Sequence, residues 1–207
     1  ISMAHGTAKA FEALNVDDKR PIFAVIGDST FFHSGLTGLL DVTYNKSNVN
    51  ICILDNRTTA MTGAQDHPGT GKTLQGVDSV HIDIKALVKS LGCERVREVD
   101  PYDLKETLAV LKEEAAYEGP SVIITSRPCI QLLKYQPHDI YDCEEGKCIG
   151  CEMCQKLGCP AISQGDEIPS PNTKKVKRHS QVDTSLCTGC SMCYQVCKPG
   201  AMYKKND

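Results

Sequence analysis

PIFAVIGDSTFFHSG, residues 21–35, is a short apolar run that stops abruptly at polar residues. Ile22–Ile26 follows Pro21 without polar alternation, the pattern of a strand buried on both faces, as in parallel sheets. Gly27-Asp28-Ser29-Thr30 ends the strand, and a helix is expected to open near Phe32–Ser34. A second buried run, VNICIL at 49–54, ends in Asp55-Asn56-Arg57-Thr58. Two strands thus present acidic and amide side chains at their C-terminal ends, where open α/β sheets bind ligands. Asp and Asn oxygens suit Mg²⁺, which takes few protein ligands and completes its shell with water and phosphate oxygens. The following helix would aim its N-terminus at that anion. Two plainer readings stand beside this one: Asp28 as a helix cap and Asn56 as a turn residue.

Outward from this stretch the pattern alternates. Ala4–Leu14 reads as a helix, and Gly35–Tyr44 carries Leu36, Leu39 and Leu40 at roughly helical spacing. Ile82–Leu91 puts Ile84, Leu87, Val88 and Leu91 on one face, with Gly92 as its stop. Arg95–Val99 reads as a strand, Asp103 as the cap of a helix from Leu104 to about Tyr117, and Ser121–Ile124 as the last strand. Strands alternating with helices of this length predict an α/β fold: an open parallel sheet with helices on both faces. From Arg127 to Asp142 the periodicity fades into a polar segment with Pro128 and Pro137. The expected organisation is an α/β domain over 1–130, a linker over 131–142, and a small α+β cluster-binding domain over 143–207.

Eight of the twelve cysteines fall in two runs, Cys148-x2-Cys151-x2-Cys154-x4-Cys159-Pro160 and Cys187-x2-Cys190-x2-Cys193-x3-Cys197. Structural zinc uses pairs of CxxC units, four ligands per ion, and has no use for the third cysteine of each run. A disulfide framework belongs to an oxidising compartment, which nothing in the chain indicates. Two [4Fe–4S] clusters account for all eight, three thiolates wrapping one cluster from a tight loop and the fourth reaching the other. Such a chain moves electrons singly over short distances. Each run is followed by a proline and a small residue (Pro160-Ala161, Pro199-Gly200), an internal repeat that suggests two half-units. Cys52, Cys93 and Cys129 read as bystanders, as does Cys143, though it lies close enough to Cys148 in sequence to replace a ligand.

Hydrophobic residues make up 41% of the 207 and charged residues 24%, as in ordinary globular proteins. A net charge of −3 and the absence of Trp give no nucleic-acid footprint. The apolar stretches are strand-length, so no membrane span is expected. With no secretory signal at Ile1 and reduced cysteines, the cytoplasm is the expected location. From Cys143 onward there are nine basic and seven acidic residues, against fourteen and nineteen before it. That mildly positive segment, with Lys174-Lys175-Val176-Lys177-Arg178 between the runs, would either attract an acidic electron carrier or be a solvated loop. His67-Pro68-Gly69-Thr70-Gly71-Lys72-Thr73 only looks like a phosphate loop: Asp66 stands where the first glycine belongs, and no strand directly precedes it.

Gly27-Asp28-Ser29 followed by Asn56 and by Thr59-Ala60-Met61-Thr62-Gly63-x-Gln65 resembles the thiamine diphosphate domain of 2-oxoacid:ferredoxin oxidoreductases. Gly-Asp-Ser and Asp55-Asn56 stand where that family usually has Gly-Asp-Gly and Asn-Asn. The resemblance implies that Asp28 and Asn56 bind Mg²⁺ by their side chains and Thr58 by its carbonyl, with Gly27, Ser29, Thr62, Gly63 and the Phe31–Gly35 turn near the cofactor. His33 and His67 become weak candidates for contact with substrate. Likeness to dicluster ferredoxins implies that Cys148, Cys151, Cys154 and Cys197 bind one cluster and Cys187, Cys190, Cys193 and Cys159 the other. Two departures, the four-residue gap before Cys159 and Lys198 after Cys197, change turns and not ligands.

The domain order is similar to the C-terminal part of the large (alpha) subunit in the indolepyruvate branch of that family. The implied reaction is oxidative decarboxylation of an aryl pyruvate to acyl-coenzyme A and CO₂, with electrons leaving through both clusters to ferredoxin. A second (beta) subunit and further upstream domains, including the glutamate that activates the thiamine, are implied as well. The alternatives are a relative with a different ketoacid preference, or a pure electron-transfer subunit whose α/β part binds no thiamine diphosphate.

Overall fold

Four parallel strands, β1 (Phe23–Gly27), β2 (Asn50–Asp55), β3 (Val96–Val99) and β4 (Ser121–Ser126), form one sheet in the order β1-β2-β4-β3. They belong to a computed structural model that describes residues 1–16, 20–132, 139–168 and 176–205, in two units, Ile1–Tyr135 and Gln136–Asp207. The register sets Gly27 against Leu54 and Asp55 against Ser126. Asp28 and Asp55 therefore leave neighbouring strands at one level.

Successive residues point to opposite faces. Ala24, Ile51, Ile53, Val122 and Ile124 enter one core with Ala8 of α1 (Ser2–Ala13), Leu39 and Val42 of α3 (Leu36–Tyr44), and Ile84 and Val88 of α4 (Ile84–Ser90). Cys52, Ile123 and Val99 enter a smaller core with Val110 and Leu111 of α5 (Leu104–Ala115). Helices thus cover both faces, as the unbroken apolar runs require, each fully buried aliphatic side chain contributing about 1.5–3 kcal/mol. Cys52 is a packing residue, its thiol pushed up to about 11 by burial. On the α5 side, Phe23, Val25 and Leu54 stay exposed.

Caps set the helix limits. Asp103 accepts from the Glu106 N–H at 2.9 Å, as expected. Asp83 accepts from Ala86 at 2.6 Å, so α4 starts with its apolar stripe at Ile84, two residues later than the expected Ile82. Glu114, fully buried, takes the Arg95 guanidinium at 3.0 Å and ties α5 to β3. The helix expected near Phe32 opens earlier: α2 (Asp28–Thr30) begins directly after β1 and runs through a π-helical turn, Phe31–Gly35, into α3. That wider turn drops Phe31 into the core at 0% exposure.

In the second unit β5 (Ile140–Cys143) pairs antiparallel with β8 (Met202–Lys205), β6 (Ile162–Ile168) pairs with β7 (Lys177–Val182), and α6 (Met192–Val196) follows the second cysteine run. β5 takes three residues assigned above to the linker, because Tyr141 is needed in the core with Cys154, Cys193 and Met202. Residues 133–138 of that linker lie outside the described residues, as do Lys174 and Lys175 of the basic patch. β6 and β7 carry no apolar alternation; their buried residues include His179 and Ser180. A Cβ on Gly165 would lie 2.2 Å from the His179 ring, so the bulged hairpin closes only over glycine. No helix among the described residues is long and apolar enough to cross a membrane.

Candidate cofactor and cluster sites

Asp28, 3% exposed, sits at the mouth of the first unit's sheet. Its Oδ1 accepts from the Ser29 N–H at 2.7 Å and its Oδ2 from the Arg57 N–H at 2.9 Å. Arg57 reaches it by adopting φ +60°, unusual for a side-chain-bearing residue. Asn56 Oδ1 accepts from the Thr58 N–H at 3.1 Å, and Thr59 donates to the Ser29 hydroxyl at 2.9 Å. Asp55 is held by Ser126 at 2.7 Å. A cavity of about 450 Å³ opens at these strand ends, lined by Asp55, Arg57, Thr70, His81, Lys85 and Ser126.

Burial pushes the Asp28 carboxyl up from its usual range, with Asp55 adding to that, against the opposing pull of the Ser29 and Arg57 amides and His67. Its charge is undercompensated, and Oδ1 and Asn56 Oδ1 each keep a lone pair. An all-oxygen set around an undercompensated carboxylate suits Mg²⁺. The side-chain oxygens of Asp28 and Asn56 are thus of a chemical kind that fits the ion.

His67 faces Asp28. Its Nδ1 accepts from the Gly69 N–H at 3.1 Å, which leaves the proton on Nε2, and Nε2 faces Asp28 Oδ2 at 3.1 Å. Both ring nitrogens are engaged, the ring is buried, and Phe32 packs on it with centroids 5.5 Å apart. His33 is exposed on the π-helical turn. Thr62 and Gly63 are exposed in a loop closed by the Thr59–Gln65 bridge, and Thr62 hydrogen-bonds Gln65.

The second unit gathers the cysteines in two groups drawn from both runs. Burial pushes Cys193 up to about 12, with the nearby Cys190, Cys187 and Cys159 adding to it. Cys143 is likewise pushed up to about 12 by burial, with the nearby Cys148, Cys154 and Cys197 adding to it. Cys143 therefore neighbours the first group. Cys151 is exposed at the rim. Among the described residues no three His, Cys, Asp or Glu side chains converge tightly enough to hold a single ion; the thiols are gathered more loosely than that. Spacing gave no sign of Ser180, whose amide donates to Cys148 at 3.4 Å and whose hydroxyl meets Cys154 at 3.0 Å.

Residues 1–125 match the family of the thiamine pyrophosphate enzyme C-terminal TPP-binding domain, and residues 180–203 match the 4Fe-4S binding domain. Indolepyruvate oxidoreductase subunit IorA of Pyrococcus horikoshii is 41% identical over 99% of this chain and 32% of its own length. Its counterpart in Thermococcus kodakarensis is 43% identical over 95% of this chain and 31% of its own. The chain thus spans about a third of the length of these relatives. In fold, 62% of the chain matches 45% of a 2-oxoglutarate:ferredoxin oxidoreductase chain from Magnetococcus marinus, with TM-score 0.51 at 17% identity. By its sheet, its strand-end oxygens and this match over its first 125 residues, the chain belongs to the thiamine pyrophosphate enzyme family.

Proposed function

We propose that this chain forms the diphosphate-and-Mg²⁺ half of a thiamine diphosphate site together with the electron outlet of a 2-oxoacid:ferredoxin oxidoreductase acting on aryl pyruvates. Bound thiamine diphosphate would supply the carbanion and electron sink for oxidative decarboxylation. Asp28, Asn56 and the Thr58 carbonyl hold Mg²⁺, while Gly27, Ser29, Thr62 and Gly63 border the cofactor. Cys148, Cys151, Cys154 and Cys197 hold one [4Fe–4S] cluster, and Cys187, Cys190, Cys193 and Cys159 the other. The partners are a 2-oxoacid, coenzyme A, ferredoxin and a second subunit. The observation that carries the reading is the buried, undercompensated Asp28 carboxylate beside Asn56, in one chain with two cysteine groups.

The test uses the full-length protein, purified anaerobically with its partner subunit. Viologen reduction should require thiamine diphosphate, Mg²⁺, coenzyme A and a ketoacid, with indolepyruvate preferred over pyruvate and branched-chain ketoacids. Iron content should be about eight per chain, two cubanes' worth. Eight irons with no thiamine diphosphate binding would leave a pure electron carrier. A different best ketoacid would move the protein to another branch of the family.

His67 orients Asp28 within this site. Groups that orient a metal's ligands are commonly worth about 10–100-fold in metal affinity. His67→Leu should raise the Mg²⁺ concentration for half-maximal thiamine diphosphate binding by a factor in that range, measured by equilibrium dialysis. His67→Gln, whose amide reaches the place of Nε2, should recover most of the loss.

A further inference from the structure

The two cysteine groups differ in what donates to their sulfurs. In the first, the Ser180 amide reaches Cys148 at 3.4 Å and the Ser180 hydroxyl meets Cys154 at 3.0 Å. Cys197 accepts from the Ala201 and Met202 amides at 3.2 and 3.3 Å. Cys143 lies beside Cys148 in the same group. In the second group, the Tyr141 amide reaches Cys187 at 3.5 Å. Exposure differs in the same sense: Cys151 of the first group is exposed, and no cysteine of the second group is.

Reduction adds negative charge to a cluster and its thiolates. Hydrogen-bond donors aimed at sulfur, and access to water, favour the reduced form and raise the potential. A ligating sulfur has no proton, so with iron bound the Ser180 hydroxyl must be the donor to Cys154. Ser180 is fixed for this role: it is 2% exposed in β7, and the Gln155 amide nitrogen lies 3.3 Å from the same hydroxyl.

We infer that the cluster held by Cys148, Cys151, Cys154 and Cys197 is the higher-potential of the pair, and that Ser180 is the positioning residue that sets it apart. The inference rests on the two-cluster reading above. Electrons entering the unit settle on this cluster, and the second, more reducing one fills after it.

The test is an anaerobic redox titration of the full-length protein followed by electron paramagnetic resonance. Cys151→Ser, which alters the signal of the first cluster, identifies which couple belongs to it; that couple should be the higher. Ser180→Ala should lower it alone, shifting electron sharing between the clusters about tenfold, or 59 mV for one electron. Ser180→Thr, which keeps the hydroxyl, should restore it. If Ser180→Ala loses iron, the wild-type titration with the Cys151→Ser assignment still decides. The inference is overturned if the first cluster is the lower couple, or if an iron-replete Ser180→Ala leaves both couples in place. Fewer than about eight irons in the wild type would instead overturn the two-cluster reading.

Discussion

Asp28→Ala should abolish Mg²⁺-dependent thiamine diphosphate binding in the full-length protein and leave the iron content at its wild-type value. The alanine removes the carboxylate at the mouth of the sheet, while Asn56 and Thr58 keep their mutual hydrogen bond at 3.1 Å. The loss should exceed the roughly 100-fold upper range for a group that only orients a ligand, so it separates Asp28 from His67 in the same dialysis measurement. The fold should persist. The Arg57 amide retains Asp55 Oδ1 at 3.2 Å, and the core beneath consists of Phe31, Leu39, Ile51 and Ile53, none of which touches solvent. Circular dichroism should therefore match the wild type. Undiminished thiamine diphosphate binding by an Asp28→Ala protein would remove Asp28 from the metal site.

Gly165→Ala should destabilise the second unit by about 1–3 kcal/mol, the usual cost of forcing extra volume into a filled site. The new Cβ would meet His179 Cε1 at 2.2 Å. That ring has nowhere to move: it is buried, its Nε2 accepts from the Asp166 amide at 3.0 Å, and its Nδ1 lies 3.3 Å from the Ser180 carbonyl. The strain falls on the residue whose amide and hydroxyl reach Cys148 and Cys154. A lower anaerobic melting temperature should thus be joined by iron loss. Gly146→Ala, where a Cβ meets nothing within 4 Å, should change neither and serves as the control.

What could be read from sequence was local. The runs at 22–26 and 49–54 had no polar alternation, and a strand buried between two helix layers needs none, so the sheet was legible. The strand ends were legible for the same reason, since Asp28 and Asn56 follow those runs directly. The hairpin of β6 and β7 was not, because a glycine, a histidine and a serine do the work that aliphatic side chains do elsewhere. The partner of Asp28 was invisible as well: His67 lies 39 residues away and arrives through a loop that resembles a phosphate-binding motif. Cysteine spacing spoke for ligand number. Those amides from β5 and β7 that aim at sulfur are remote in sequence from their cysteines, and no spacing rule foretells them.

The two cysteine groups are interleaved, Cys159 lying with Cys187, Cys190 and Cys193, and Cys197 acting on Cys143 beside Cys148 and Cys154. Each group borrows one member from the other run, so neither is complete until both ends of the unit have come together. On the two-cluster reading, loading with iron and closure of the chain should then be a single cooperative event. When iron is scarce, the population should divide between filled and empty molecules, with few carrying one cluster alone.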